Sequence, residues 1–133
     1  MAKWTKTGHG YHVRNRKGKI VYEHTEIVER VLGRKLKGRE CIHHVDGDKT
    51  NNENSNLVVC PDDKYHQLLH RRQRALEATG DANMLKCCYC LEYDKPENLR
   101  IYAKSPPRHG ECNKRYWHDW DKRKKQSLLP GTA

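Results

Sequence analysis

The sequence predicts a small α+β fold in two parts, each carrying a candidate metal site. Three observations carry this. First, only 35% of the 133 residues are hydrophobic, Phe is absent and 33% are charged, which leaves little material for a large core, and small polar chains commonly need metal support. Second, short strand-like apolar runs alternate with segments of helical periodicity. Third, histidine and cysteine gather at two places: His43, His44, His66 and His70 in the middle of the chain, and Cys87, Cys88, Cys90 and Cys112 towards its end. Three Trp, seven Tyr and the patterned runs argue against disorder for most of the length.

Residues 1–8 read as a loose basic start. Gly10–Val13 and Ile20–Tyr22 read as two strands joined by turn chemistry at Asn15-Arg16-Lys17-Gly18. A helix follows, with Thr25 as its N-cap, Ile27, Val28, Val31 and Leu32 as its apolar face, and Gly33 as its stop. Cys41–Val45 is a short strand. Asp46–Asn52 is too rich in Asp, Asn and Gly to be other than loop. Leu57–Cys60 is a second strand, and Asp62 caps a helix from about Asp63 to Ala78 whose buried face would be Leu68, Leu69, Ala75 and Leu76. Gly80 stops it. A boundary near Thr79-Gly80-Asp81 divides a first domain, 1–80, with its strand–loop–strand–helix core over about 40–78, from a module over 84–126 with a basic helical tail. Residues 127–133 should be frayed and disordered.

Charge is unevenly spread. The net +10 divides as +7 over residues 1–40, −1 over 41–80 and +4 over 81–133. Basic flanks around a near-neutral centre suit grips on a polyanion beside a chemical site. Arg14, Arg16, Lys17 and Lys19 on the hairpin, with Lys114, Arg115, Lys122 and Arg123 on the tail, are the candidate phosphate contacts, and Trp117 or Trp120 could stack on bases. No apolar run reaches the roughly 18–20 residues needed to span a bilayer, and no signal-peptide core follows the start. A soluble cytoplasmic protein without membrane partners is the expectation.

His66 and His70 are one helical turn apart and can both bind one ion. His43 and His44 are neighbours on a strand and point to opposite faces. One can ligate while the other stays free as a base, and imidazole titrates near neutrality. Three imidazoles with open positions form a catalytic type of site. With a polyanion as partner, these groups suggest metal-assisted phosphodiester hydrolysis. A C2H2 finger using Cys41 and Cys60 is disfavoured, because 18 residues separate them where a finger has about 2–4. Asp46-Gly47-Asp48 hints at a calcium loop, but Asn51 and Leu57 stand where that loop needs Gly and Glu.

Across about residues 10–80 the chain resembles the HNH nuclease family and its ββα-metal (His-Me finger) core. The motifs are Glu23-His24, Leu32-Gly33-Arg34, His43-His44-x-Asp46-Gly47-Asp48-x-x-Asn51-Asn52 and Asn56-Leu57. They look closest to phage and intron-encoded (homing-type) members. The resemblance implies that His43 is a metal ligand, completed by His66 and His70, that His44 is the general base, and that Asn56 braces the loop and orients the base. It implies a DNA endonuclease, nicking or cutting both strands by a single-metal mechanism that leaves 5′-phosphate and 3′-hydroxyl. The ion would be Mg²⁺, Mn²⁺, Ni²⁺, Co²⁺ or Zn²⁺; an all-imidazole set favours the later ions over Mg²⁺ in affinity. Double-stranded DNA is the expected partner, with a phage terminase or another phage protein as a further one, and the protein is expected as a monomer or weak dimer.

Cys87-x2-Cys90, 18 residues, then His109-x2-Cys112 has the spacing of a structural Zn²⁺ site in a module too small to fold on apolar burial alone. This part resembles the C-terminal zinc knuckle attached to phage HNH proteins. The competing function is a non-catalytic, zinc-dependent nucleic-acid-binding module.

Overall fold

The computed structural model describes residues 3–131 and is a small α+β protein with three helices and four small antiparallel sheets among the described residues. The chain divides into two compact units between His70 and Arg71, inside a helix.

The first unit opens with a three-stranded antiparallel sheet, β1 (Thr5–Lys6), β2 (His12–Arg16) and β3 (Lys19–Tyr22), in that order. The sheet corrects the expected loose start: Thr5 and Lys6 pair with Val13 and His12. Residues 1 and 2 lie outside the described residues. The β2–β3 hairpin closes through Lys17 and Gly18, with φ of 52° and 80°. Two positive φ values in a two-residue loop match the right-handed twist of the flanking strands, and Gly18 N–H donates to Asn15 Oδ1 at 2.9 Å.

Helix α1 spans Glu23–Leu32. It starts two residues before the expected cap at Thr25; Tyr22 holds the N-cap position without a side-chain hydrogen bond. Glu23 and Glu26 in the first turn complement the positive end of the helix dipole instead. Gly33 ends the helix at φ 69°, its N–H donating to the Arg30 carbonyl, the left-handed stop that glycine adopts without cost to a side chain. Of the expected apolar face only Val28 is buried, while Val31 and Leu32 remain exposed.

Strands β4 (Cys41–His44) and β5 (Leu57–Cys60) pair antiparallel in the register Cys41–Cys60, Ile42–Val59, His43–Val58 and His44–Leu57. A 3₁₀ turn over Asn54–Asn56 leads into β5. Helix α2 then runs Asp63–Thr79. Asp62 Oδ1 accepts the Tyr65 N–H at 2.9 Å, the bond a capping carboxylate makes to the third helical residue. Gly80, at φ 80°, donates to the Leu76 carbonyl. The expected buried face of α2 is corrected: Ala75 is buried, but Leu68 and Leu76 are exposed.

The second unit is built on turns. Strands β6 (Leu85–Lys86) and β7 (Tyr93–Asp94) pair across the Cys87–Cys90 segment. Strands β8 (Arg100–Tyr102) and β9 (Ser105–Arg108) form a second hairpin, and helix α3 (Gly110–Ser127) follows. Ser127 closes α3, Leu128–Gly131 continue as turns, and residues 132 and 133 of the expected frayed end lie outside the described residues. Buried apolar side chains are few in either unit: Val13, Val28 and Cys60 in the first, Ala75, Cys87 and Leu99 in the second. No described helix is long and apolar enough to cross a membrane.

Candidate metal centres

In the first unit, β4 turns His43 towards α2. Its ring lies 5.3 Å from that of His66 and 4.5 Å from that of His70, centre to centre. The Nε2 atoms of His66 and His70 are 3.0 Å apart. One nitrogen from each of the three rings lies within 4.8 Å of the others. Two nitrogens bound tetrahedrally at about 2.0–2.1 Å would sit about 3.3 Å apart, so the spacing suits one ion. His43 is only 4% exposed, and its Nδ1 is buried without a hydrogen-bond partner. Leaving a polar atom in that state costs stability, and a cation held by these rings would offset that cost. Burial, then the charges of His70, His66 and His44, holds His43 below its ordinary pKa, which keeps it in the neutral form that coordinates. Three imidazoles leave coordination positions open, as catalytic sites do.

His44, 6% exposed, faces the other side of the strand. Its Nε2 lies 3.0 Å from Asn52 Oδ1. Asn52 Nδ2 in turn donates to Glu23 Oε2 at 2.9 Å, and the same oxygen lies 2.8 Å from His12 Nδ1. The chain of donors and acceptors fixes the tautomer of His44. An ionised carboxylate only accepts, so Asn52 presents its amide N–H₂ to Glu23 and its carbonyl oxygen to His44. That oxygen requires an N–H at His44 Nε2, which leaves the lone pair on Nδ1. His24 and Tyr11 lie beside the His44 ring at 5.3 and 6.3 Å. Burial, reinforced by His44 and opposed by Glu23, pushes His24 down to about 4, so His24 is neutral at neutral pH.

Asn56, 7% exposed, braces the loop between the strands. Its Oδ1 accepts the Asp46 N–H at 3.0 Å, and its Nδ2 donates to Asp46 Oδ1 and the Asn51 carbonyl at 2.9 and 2.8 Å. It does not reach the His44 ring; Asn52 makes that contact, which corrects the expectation that Asn56 orients the base. Glu23 and Asn52 stand in the sequence motifs quoted above, but their link to the His44 ring, and the part of His12 in it, were not anticipated from the sequence. The Asp46 and Asp48 carboxylates are taken up by Asn51, Asn56, Thr50 and local backbone N–H groups, so the loop is a hydrogen-bonded turn.

In the second unit, one ligand atom each from Cys87, Cys90, His109 and Cys112 lies within 4.8 Å of the others. Cys87 and Cys90 flank a tight turn between β6 and β7. His109 is the N-cap residue of α3 and Cys112 stands in its first turn. His109 Nδ1 is 3.4 Å from Cys90 Sγ and 3.7 Å from Cys112 Sγ, close to the edge lengths of a tetrahedron built on Zn–S and Zn–N bonds of about 2.3 and 2.0 Å. The other ring nitrogen, Nε2, lies 3.1 Å from Asp94, the outer carboxylate that orients a ligating imidazole. Desolvation works against the Cys87 thiolate, but backbone N–H groups of Cys90, His109 and Tyr89 outweigh it and bring the thiol below its ordinary value. Cys112 is pushed up by desolvation and by the nearby Cys90 and Cys87 sulfurs. A divalent cation would relieve that crowding of negative charge. The cluster can therefore bind a structural zinc.

The predicted phosphate contacts differ in availability. Arg14 pairs with both oxygens of Glu26 at 2.7 Å, lies over the Trp4 ring, and has a side chain only 13% exposed, so it serves the fold rather than a solvent-side ligand. Arg16, Lys17 and Lys19 are exposed on the hairpin, and Arg115, Lys122 and Arg123 on α3. Lys114 is exposed and pairs with Glu111. Trp117 and Trp120 are exposed; the ring that packs on the cysteine turn is Tyr116, stacked on Tyr89 at 4.7 Å.

No family model, curated protein or solved structure matches the chain.

Proposed function

We propose that the first unit is an HNH-type ββα-metal core and that the protein hydrolyses phosphodiester bonds in DNA. One observation carries this reading. A single four-residue strand sends His43 to the His66–His70 pair and His44 to the opposite face, where a hydrogen-bond chain leaves His44 Nδ1 with the free lone pair.

His43, His66 and His70 would hold the divalent ion, which when bound supplies Lewis-acid stabilisation of charge on phosphate oxygens. His44 Nδ1 takes a proton from the attacking water. The new P–O bond forms as the bond to the 3′-oxygen breaks, and that oxygen takes up a proton from solvent. The products are a 5′-phosphate and a 3′-hydroxyl. As His44 becomes positive, Asn52 holds its Nε2–H and Glu23 places a negative charge beyond it. Exposed cations of the β2–β3 hairpin and of α3 contact phosphates, which position the duplex without reading its sequence.

The test is cleavage of supercoiled plasmid by wild type and His44→Ala, after chelation and re-addition of Mg²⁺, Mn²⁺, Ni²⁺, Co²⁺ or Zn²⁺ in turn. Nicked or linear DNA should form with wild type, and His44→Ala should be slower by about 10²–10⁴-fold. Tight plasmid binding without cleavage under any ion would replace this reading with a non-catalytic nucleic-acid-binding module. Equal cleavage by both proteins would remove His44 as the base.

A further inference from the structure

The second unit contains a cleft of about 800 Å³ that the hydrolytic reading does not use. Its walls come from the part of α2 beyond His70, from β6–β7 and from the β8–β9 hairpin. Arg71, Arg74, Lys86 and Lys104 line it together with Tyr93 and Tyr102, and no lining residue is acidic. Arg71 and Arg74 are three apart, so they share one face of the helix.

Two features set this cleft apart. None of its four cations has an ion-pair partner among the described residues, whereas Lys114 and Lys125 of the same unit pair with Glu111 and Asp121. Like charges gathered around a concavity repel one another and focus a positive potential into it. The cleft is therefore complementary to a polyanion. The second feature is aromatic. Lys86 lies over the Tyr93 ring and Arg108 over the Tyr102 ring, both at 5.6 Å. Tyr102 is nevertheless 52% exposed, held on a short hairpin with a turn at Ala103 and Lys104. A planar ring braced by a cation and open to solvent offers a stacking platform.

Charge alone would suit any polyanion. Rings set among unpaired cations favour one that carries flat groups at intervals along a phosphate chain. In a duplex those flat groups are stacked inside, out of reach of a ring in a concave wall. The volume falls within the range of roughly 300–1,000 Å³ typical of ligand pockets. We infer that this cleft binds a short stretch of single-stranded nucleic acid, with an unpaired base stacked on Tyr102 and the flanking phosphates among Arg71, Arg74, Lys86 and Lys104. The inference does not depend on hydrolysis at the histidine site.

The test uses the full chain with its zinc retained and with His44→Ala in the background, so that cutting of the probe is slow on the timescale of the measurement. Fluorescence anisotropy is read with a labelled oligothymidylate of about ten nucleotides, within the site sizes of single-strand binders, and with a duplex of equal length. Tyr102→Leu should weaken oligothymidylate binding by about 5–150-fold, the effect of one lost base stack, and leave duplex affinity unchanged. Lys104→Gln, at the exposed hairpin turn, should lower the salt slope for the single strand by about 0.7. It provides an independent reading should Tyr102→Leu fail to fold. Unchanged oligothymidylate affinity in folded Tyr102→Leu would overturn the inference. So would equal losses for single strand and duplex, or displacement of the oligonucleotide by oligoglutamate as readily as by unlabelled oligothymidylate.

Discussion

The two histidine-containing clusters of this chain use similar donors to opposite ends. In the first unit three imidazoles converge and none of the described thiols or carboxylates completes the set, so a bound ion keeps positions open. In the second unit three thiols and one imidazole supply four donors, and a bound ion is enclosed. The surroundings follow the same division. The open cluster lies on one face of a strand whose other face carries a buried, oriented imidazole. The closed cluster joins the cysteine turn to the first turn of α3, in a unit where Ala75, Cys87 and Leu99 are the only buried apolar side chains described. Donor number and donor softness separate a site that can act on a ligand from one that replaces a missing core.

The largest effect should come from breaking the closed site. Cys87→Ser should remove zinc and unfold residues 84–126, because a structural zinc in a small module contributes apparent binding energies on the order of 10–16 kcal/mol. Hydrogen exchange should show lost protection there while residues 41–70 keep theirs. Unchanged zinc stoichiometry by elemental analysis would dismiss the assignment. Next in size is the open site. On the proposed reading, His70→Ala should leave the fold standing but weaken ion binding at the three-imidazole cluster, and activity should fall more steeply than secondary structure by circular dichroism. Equal loss of both would make that cluster structural too.

A finer distinction concerns Asn52. Asn52→Leu should slow cleavage by about 10–100-fold, the usual cost of losing an outer hydrogen-bond partner, and should change the His44 nitrogen shifts in NMR. Asn56→Leu, in contrast, should destabilise the loop. If the two variants lowered activity and stability alike, the separation between a positioning residue and a bracing residue would fail. The smallest effect is expected at Gly33, where φ is 69° and open space surrounds an added Cβ. Gly33→Ala should cost about 1–2 kcal/mol through backbone strain alone, read as a lower denaturant midpoint with an unchanged slope.

Much of the chain up to the end of α2 was legible because its signals are local. His66 and His70 advertise a helical face through their spacing, His43 and His44 divide by strand parity, and Asp62 and Gly80 mark the ends of α2. The two-residue strand β1 was missed because so short a segment has no periodicity. The start of α1 was misplaced because Tyr22 caps without a side-chain bond, whereas Thr25 has the chemistry of a cap and does not occupy the position. Leu68 and Leu76 stand on an apolar face, but periodicity records the face and not whether anything covers it. The Asn52–Glu23–His12 chain was invisible for a different reason. Its members come from three segments, and no local pattern encodes a hydrogen bond across the turns between them.

That same chain has a consequence for the order of assembly. The β4–β5 hairpin and the start of α2 lie within residues 41–70, so the three-imidazole cluster can form from one contiguous stretch. Orientation of His44 also requires Glu23, at the start of α1, to reach Asn52 from 29 residues away. That closure is nearly as short as the one that joins His43 to His70, 27 residues on, and loop entropy grows so slowly with length that it does not separate the two. On the proposed reading, ion capture and orientation of the base should therefore arise together during refolding, and cleavage should return in step with metal affinity.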